Sequence, residues 1–261
     1  MSCHTQQDIA ESVEMSQPAV AAEIAKIIKK ISKNDSDIFR NFAPEVYSLW
    51  NFGKATNEVK HFGNIPPEII DNLLYYFTDP FDVVFDPFGG GGSTIDKCRE
   101  RQRRYYVSDL TPIPARAHEM RAHDITTGLP DDLPVPKMVF LDPPYWKQAA
   151  GKYSEKETDL GNTDLDTFLQ AIGMIAQSTK RKRAKCDTPG ILAIIIGSCK
   201  EDGRYIDLPF LCYERISKYL TLRQRIIVPY STQVHGGAYV EAAKQNKEIL
   251  YLTRDLMLFE V

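Results

Sequence analysis

The sequence predicts an α/β fold with a mostly parallel sheet and helices on both faces. Three observations lead there. Short apolar runs of strand length recur along the chain, separated by stretches with helical spacing. The runs FDVVFD (81–86), MVFLD (138–142) and GILAIIIG (190–197) are nearly continuous in apolar residues, as in strands covered on both sides. The 261 residues are 43% hydrophobic and 26% charged, enough apolar material for one substantial core.

Taken in order, residues 1–16 are polar and read as a loose tail. From Pro18, PAVAAEIAKIIKKIS brings Val20, Ile24, Ile27, Ile28 and Ile31 onto one helical stripe, and NDSD (34–37) breaks it. Residues 1–40 are expected to form a tail and helix, and 41–261 a single domain. HFGNIP (61–66) reads as a loop, and PPEIIDNLLYYF (66–77) as a helix whose prolines stand where a missing N–H costs least. FDVVFD is the first strand of the sheet, followed by four glycines and the helix STIDKCRER (93–101). RRYYVSD (103–109) is a second strand. TPIPARAHEMRAHD (111–124) starts with prolines and is expected to become helical, and PDDLPVPK (130–137) is a loop.

After the strand MVFLD, DLDTFLQAIGMIAQSTKRKR (164–183) is a helix with a basic end, and GILAIIIG is the most apolar strand. PFLCYERISKYL (209–220) is a helix. LRQRIIVPY (222–230) and KEILYLTRDLMLFEV (247–261) close the chain with strands.

Composition bounds the function. The net charge of −3 carries no global basic bias, so a nucleic-acid footprint would have to be a local patch. Five cysteines without a CxxC pair argue against a disulfide framework or a zinc site, and no metal is expected. No run approaches the roughly 18 apolar residues of a membrane span, and the polar N-terminus lacks the regions of a signal peptide. A cytoplasmic protein is the expectation.

VVFDPFGGGGSTID puts an acid at a strand end, then a glycine turn, then a helix start with Ser93 or Thr94 as its cap. Glycines let backbone approach a ligand closely and adopt positive φ, and a helix start offers free N–H groups. The run is neither GxGxxG nor a P-loop, because no GK[ST] follows. A nucleoside cofactor in such a sheet lies at the carboxyl ends of the strands. Asp109 ends the next strand, 23 positions after Asp86, where a carboxylate can bond ribose hydroxyls or, equally, be the N-cap of a helix starting at Thr111 and Pro112. Asp124 is either a loop acid or a contact to a base amino group.

LDPPYWKQ (141–148) leaves the third of these strands through an acid, two prolines and two aromatic rings, an arrangement from which a fold gains little. Together with the glycine loop it resembles the amino-methyltransferases that use S-adenosylmethionine. FDPFGGGG is similar to the family's cofactor loop, and DPPY, 56 positions after Asp86, to its catalytic tetrapeptide. HFGNIPPEII (61–70) is similar to the segment ahead of the loop that helps hold the methionine end of the cofactor.

The resemblance implies a Rossmann-like, seven-stranded mixed sheet of the class I methyltransferase type, with one antiparallel strand near the chain's end. It also implies S-adenosylmethionine as cofactor and DNA as partner, in a bacterial, archaeal or phage restriction-modification setting. Cofactor-binding positions implied by it are His61, Asn64, Ile65, Pro66, Asp86, Pro87, Phe88, Gly89, Gly91, Ser93, Thr94, Asp109 and Asp124. Asp142, Pro143, Pro144 and Tyr145 are the implied catalytic residues, and Tyr145, Trp146 and Lys147 the substrate contacts.

The exocyclic nitrogen of adenine or cytosine is a poor nucleophile, because its lone pair is delocalised into the ring. Asp142 and the Pro143 carbonyl can accept its two hydrogens, the Pro-Pro corner fixing the carbonyl's direction. Tyr145 would stack on the base at roughly 1–3 kcal/mol. In this family DPPY is commoner with adenine N6 as target, and SPPY with cytosine N4.

KRKRAK (180–185) is either a phosphate contact or, ahead of it, a solvated helix end. The stretch YSTQVHGGAYVEAAKQNK (230–247) reads as a flap. No interval is long enough for a large target-recognition region, so recognition is expected to be loop-borne or supplied by a second copy or a recognition subunit.

Overall fold

A computed structural model describes residues 3, 9–11, 13–30, 35–53, 64–144, 146, 156–230 and 235–261, the side chains of 27–30 and 35 excepted. The helices are α1 (Gln17–Lys30), α2 (Asp35–Ile38), α3 (Pro67–Phe77), α4 (Ser93–Glu100), α5 (Leu165–Arg183), α6 (Leu208–Ile216) and α7 (Gly237–Gln245). The strands are β1 (Val83–Asp86), β2 (Arg104–Asp109), β3 (Arg121–Ala122), β4 (Met138–Leu141), β5 (Ile191–Ile196), β6 (Cys199–Glu201), β7 (Arg204–Ile206), β8 (Thr221–Pro229) and β9 (Thr253–Glu260).

Seven strands form one sheet in the order β3-β2-β1-β4-β5-β9-β8, and β6-β7 is a separate hairpin. The first five of that order run parallel, and β9 is antiparallel to both β5 and β8. This is the seven-stranded mixed sheet expected of a class I methyltransferase. The chain moves outward from β1 through β2 and β3, then returns to the other side of β1 with β4. The crevice at the carboxyl ends of β1 and β4 is therefore the topological switch point, where open sheets of this kind hold ligands.

All residues of β1, β4 and β5 are buried, as continuous apolar runs in a doubly covered sheet must be. Alternate side chains feed two cores. On one face Phe85, Val139, Leu141 and Ile194 pack with Phe168 and Ile172 of α5 and Cys212 of α6. On the other, Val84, Met138, Phe140 and Ile195 pack with Ile70 and Leu73 of α3 and Ile95 of α4.

The N-terminal part is fastened to this body. Arg101 donates to Asp71 (2.8 Å) and to the Ile38 carbonyl (3.0 Å) with its guanidinium over the Phe39 ring. Residues 48–50 run beside the edge strand β8, exchanging Ile227 N–H to Ser48 O and Trp50 N–H to Ile227 O, both 2.9 Å. That contact covers part of an otherwise open sheet edge.

Two expectations are corrected, and a third stretch is described in part. Residues 111–124 do not become an α-helix. They make a single 3-10 turn at Pro114–Arg116, then the two-residue strand β3, because Arg116 turns inward to bind Asp96, at 2.6 and 2.7 Å, and Glu119 at 3.0 Å. Within the stretch 230–247, Gly237–Gln245 is helical, and 231–234 lies outside the described residues. The end of KRKRAK is partly structural: Arg183 is buried and donates to the carbonyls of Pro136 and Thr188, and Lys180 to that of Tyr219.

Candidate active site

The cleft at the switch point is lined by Asp86 to Gly91, Ser93, Thr94, Asp109, Asp124, Asp142 and Pro144, with Asn64 and Ile65 at one side. They arrive from the β1–α4 turn, the end of β2, the turn after β3 and the end of β4, and the fold brings these segments together.

Asp86 closes β1 and ties that strand to α4. One carboxylate oxygen accepts the Phe88 N–H (2.9 Å) and the other the Thr94 hydroxyl (2.6 Å). Burial pushes its carboxyl up to about 7, the two hydrogen bonds pull it back, and the Asp109 carboxylate pushes it further up. Neither Ser93 nor Thr94 caps α4. The N-cap is Gly92 at φ 88, without a side-chain cap. Thr94 spends its hydroxyl on Asp86 instead, and Ser93 faces the cleft.

The glycines are required by close approach. A Cβ on Gly89 would lie 2.5 Å from Val107 Cγ1 and 2.6 Å from Met120 Cε, and Gly90 and Gly92 hold left-handed φ of 46° and 88°. The loop is pinned from outside by Gly89 N–H to Ser108 O (2.9 Å) and by Arg116, whose Nε donates to Gly91 O at 3.3 Å. Arg116 was not singled out from sequence. Its only trace there is an arginine in a Pro-rich stretch.

Asp109 accepts from Gly90 N–H (3.0 Å) and Thr111 N–H (2.9 Å). No helix starts directly after it, so it is not a helix N-cap; it fastens the Gly90 and Thr111 backbone and lines the cleft. Asp124 caps a short 3-10 turn through Thr126 N–H (3.0 Å) and hydroxyl (2.6 Å). Burial raises its carboxyl, but hydrogen bonds from Thr126 and Thr158 outweigh that and hold it below the usual carboxylate range.

Asp142 follows β4 directly. It keeps some surface in the cleft while protein replaces most of the water around it. Burial pushes its carboxyl up to about 7, the Arg254 charge pulls it down, and Asp86 pushes it up. Pro144 lines the cleft beside it.

The stretch that follows the tetrapeptide borders the cleft as well. Residues 156–163 fold back over the cleft, with Lys156 Nζ donating to the Leu110 carbonyl (2.9 Å) and Thr158, Asp159 and Leu160 among the lining. Asp159 is buried, which pushes its carboxyl up, while the Gly161 N–H pulls it down. Its signal was only an acid in a polar stretch.

Not every expected site residue reaches the cleft. Trp146 is 2% exposed, packs in the core and donates its ring N–H to the Thr163 carbonyl at 2.8 Å, so its indole is a packing group here rather than a substrate contact. Pro66 is buried at the N-cap of α3, outside the lining. Pro143 is buried between Asp142 and Pro144. His61, Tyr145 and Lys147 lie outside the described residues.

Residues 14–112 match the model of the N6/N4 DNA methylase family, a segment that includes Asn64, the glycine loop and Asp109. Over 65 residues the chain is 35% identical to the Type II methyltransferase M.XycI of Xanthomonas campestris pv. cyanopsidis, covering 25% of this chain and 22% of that one. Over 80 residues it is 32% identical to the Type II methyltransferase M.Cfr9I of Citrobacter freundii, covering 31% and 25%. The matched stretches thus span about a quarter of each curated relative.

Among solved structures, a TehB-like SAM-dependent methyltransferase from Corynebacterium glutamicum aligns over 93% of this chain and 98% of its own at 12% identity, TM-score 0.43. A precorrin-6y C5,15-methyltransferase from Geobacter metallireducens aligns over 82% and 97% at 13% identity, TM-score 0.45. In its matched segment the chain resembles the N6/N4 DNA amino-methyltransferases.

Proposed function

We propose that this chain transfers a methyl group from S-adenosylmethionine to the exocyclic amino group of a base in DNA, adenine N6 ahead of cytosine N4. The observation that carries the proposal is one cleft shared by the glycine loop of β1 and the Asp-Pro-Pro corner of β4.

The residues present fit the cofactor. Gly89 has room only for hydrogen, so loop backbone can approach a ligand without a side chain between. The Asp109 carboxylate has taken one backbone N–H on each oxygen and keeps further acceptor capacity for hydroxyls. Asn64 and Ile65 wall the side where the family resemblance expects the methionine end. When bound, S-adenosylmethionine supplies an activated methyl group. The transfer needs no covalent enzyme intermediate.

The chain's own part is to prepare the amine. Ionised Asp142 is acceptor-only and draws one amino hydrogen out of the ring plane, and the Pro143 carbonyl takes the other. This localises the nitrogen lone pair. Once the N–C bond has formed, the amine is acidic and must lose one proton, which a carboxyl near 7 can accept before passing it to water. Tyr145 is the proposed stacking wall, and Lys147 a contact to the same substrate. A paired base must leave the duplex to reach this depth, at a cost of a few kcal/mol.

DNA as substrate is supported by the matched family segment and by the name Type II methyltransferase carried by both curated relatives. Adenine is favoured by Asp rather than Ser at the head of the tetrapeptide. Mapping modified bases in DNA from cells expressing the chain tests the proposal. N6-methyladenine at a recurring sequence is the expected result, N4-methylcytosine would replace the base assignment, and unmodified DNA would overturn the substrate.

A further inference from the structure

Arg254, at the start of β9, is used by none of the chemistry above, yet it is only 4% exposed. A buried guanidinium needs a purpose or a partner. Its surroundings are built around it. The guanidinium carbon lies 5.0 Å from the centre of the Tyr230 ring. Between β4 and β9 stands β5, which ends beside Gly197. A Cβ at Gly197 would meet the Tyr230 hydroxyl at 2.5 Å and Arg254 Cγ at 3.4 Å. Glycine therefore leaves open the space through which both side chains pass.

The register sets the direction. Leu141 pairs with Ile194, and Asp255 pairs with Ile196. Asp142 and Arg254 therefore both emerge at the same end of the sheet, with β5 between them. The charged and titratable groups acting on Asp142 are Arg254 from β9 and Asp86 from β1, and Tyr230 beyond β8 feels both Arg254 and Asp142.

We propose that Arg254, steered by the Tyr230 ring across Gly197, is a positioning residue that keeps Asp142 a charged, aimed acceptor for the substrate's amino group. The acceptor role rests on the function proposed above, whereas the coupling of Arg254 to Asp142 does not. Asp142 sits where burial favours its neutral form, and a protonated carboxyl would turn a donor toward the amine. Arg254 opposes that, and the Asp86 charge on the other side makes the opposition necessary.

The test is a carbon-13 titration of the Asp142 carboxyl in the whole chain, assigned by its loss in Asp142→Asn. It is run on the wild type, Arg254→Met, Arg254→Gln and Arg254→Lys, beside the pH profile of methyl transfer to DNA. Neutralising a cation that favours the ionised carboxyl raises the carboxyl's midpoint. That rise is expected in the Met and Gln variants. The Lys variant should stay near the wild type, and the acid limb of methyl transfer should move with the midpoint.

Two neutral variants guard against one failing to fold, and Tyr230→Leu, which removes only the ring, should move the midpoint the same way by less. An unmoved midpoint in the folded neutral variants overturns the inference whatever their activity. A wild type that methylates no DNA, with the midpoint still set by residue 254, overturns the substrate assignment and leaves the coupling standing.

Discussion

At the scale of single residues, two carboxylates line the crevice, Asp86 buried and Asp142 half-buried. Asp86 is satisfied by Phe88 and Thr94 and serves the loop. Asp142 faces the cleft, where the proposed function has it accept from the substrate's amino group. Both are pushed up to about 7, burial being the main cause. An acceptor must be ionised, so methyl transfer is expected to fall as pH drops below about 7, read by initial rates across pH at saturating cofactor. Asp142→Ala is expected to abolish transfer while calorimetry still finds the cofactor bound, since the glycine loop and Asp109 are untouched. Gly89→Ala tests the loop. Val107 is β-branched and cannot swing aside, so the added methyl should cost about 1–3 kcal/mol in stability and weaken cofactor binding, measured by thermal melting and by titration.

At the scale of elements, the strand-to-helix turn is held by side chains rather than by a standard helix cap. Thr94 reaches back to Asp86, and Arg116 reaches across from the 3-10 turn to Gly91 and Asp96. Thr94→Val leaves a buried carboxylate oxygen without its donor. That is expected to cost about 1–3 kcal/mol and to raise the Asp86 carboxyl further, both readable by urea unfolding at several pH values.

The parts of the fold legible in sequence are those with a one-dimensional signature. Continuous apolar runs gave β1, β4 and β5, and the prolines at 66 and 67 marked the start of α3. What escaped depends on long-range partners. Residues 111–124 have helical composition, but Arg116 trades helix for ion pairs with Asp96 and Glu119. Trp146 looks like a pocket ring beside DPPY, yet its N–H is taken by a carbonyl 17 positions on. Asp159 reaches the cleft only because the 156–163 loop brings it there.

At the scale of the whole molecule, the same raised carboxyls link folding to pH. A carboxyl whose folded value lies above its unfolded value stabilises the fold most when protonated. The contribution of Asp142 is full below about 4 and is lost as pH rises through about 7. Asp124 acts in the opposite sense, because its carboxyl is lowered. The comparison that isolates the effect is therefore between the wild type and Asp142→Asn. The variant should lose less melting temperature than the wild type as pH rises across this window, and parallel curves would contradict the raised value.

Architecture and the proposed chemistry meet at the switch point between β1 and β4, where topology puts the glycine loop next to the Asp-Pro-Pro corner. The central claim is that this corner prepares a DNA amino group for methylation. Its most direct measurement supplies S-adenosylmethionine with a deuterated methyl group, together with DNA, to the wild type and to Asp142→Ala, then digests the DNA and weighs the nucleosides. N6-methyladenine carrying the label with the wild type, and none with the variant, is the predicted result. Wild-type protein that binds the cofactor yet leaves every DNA nucleoside unlabelled would contradict the claim.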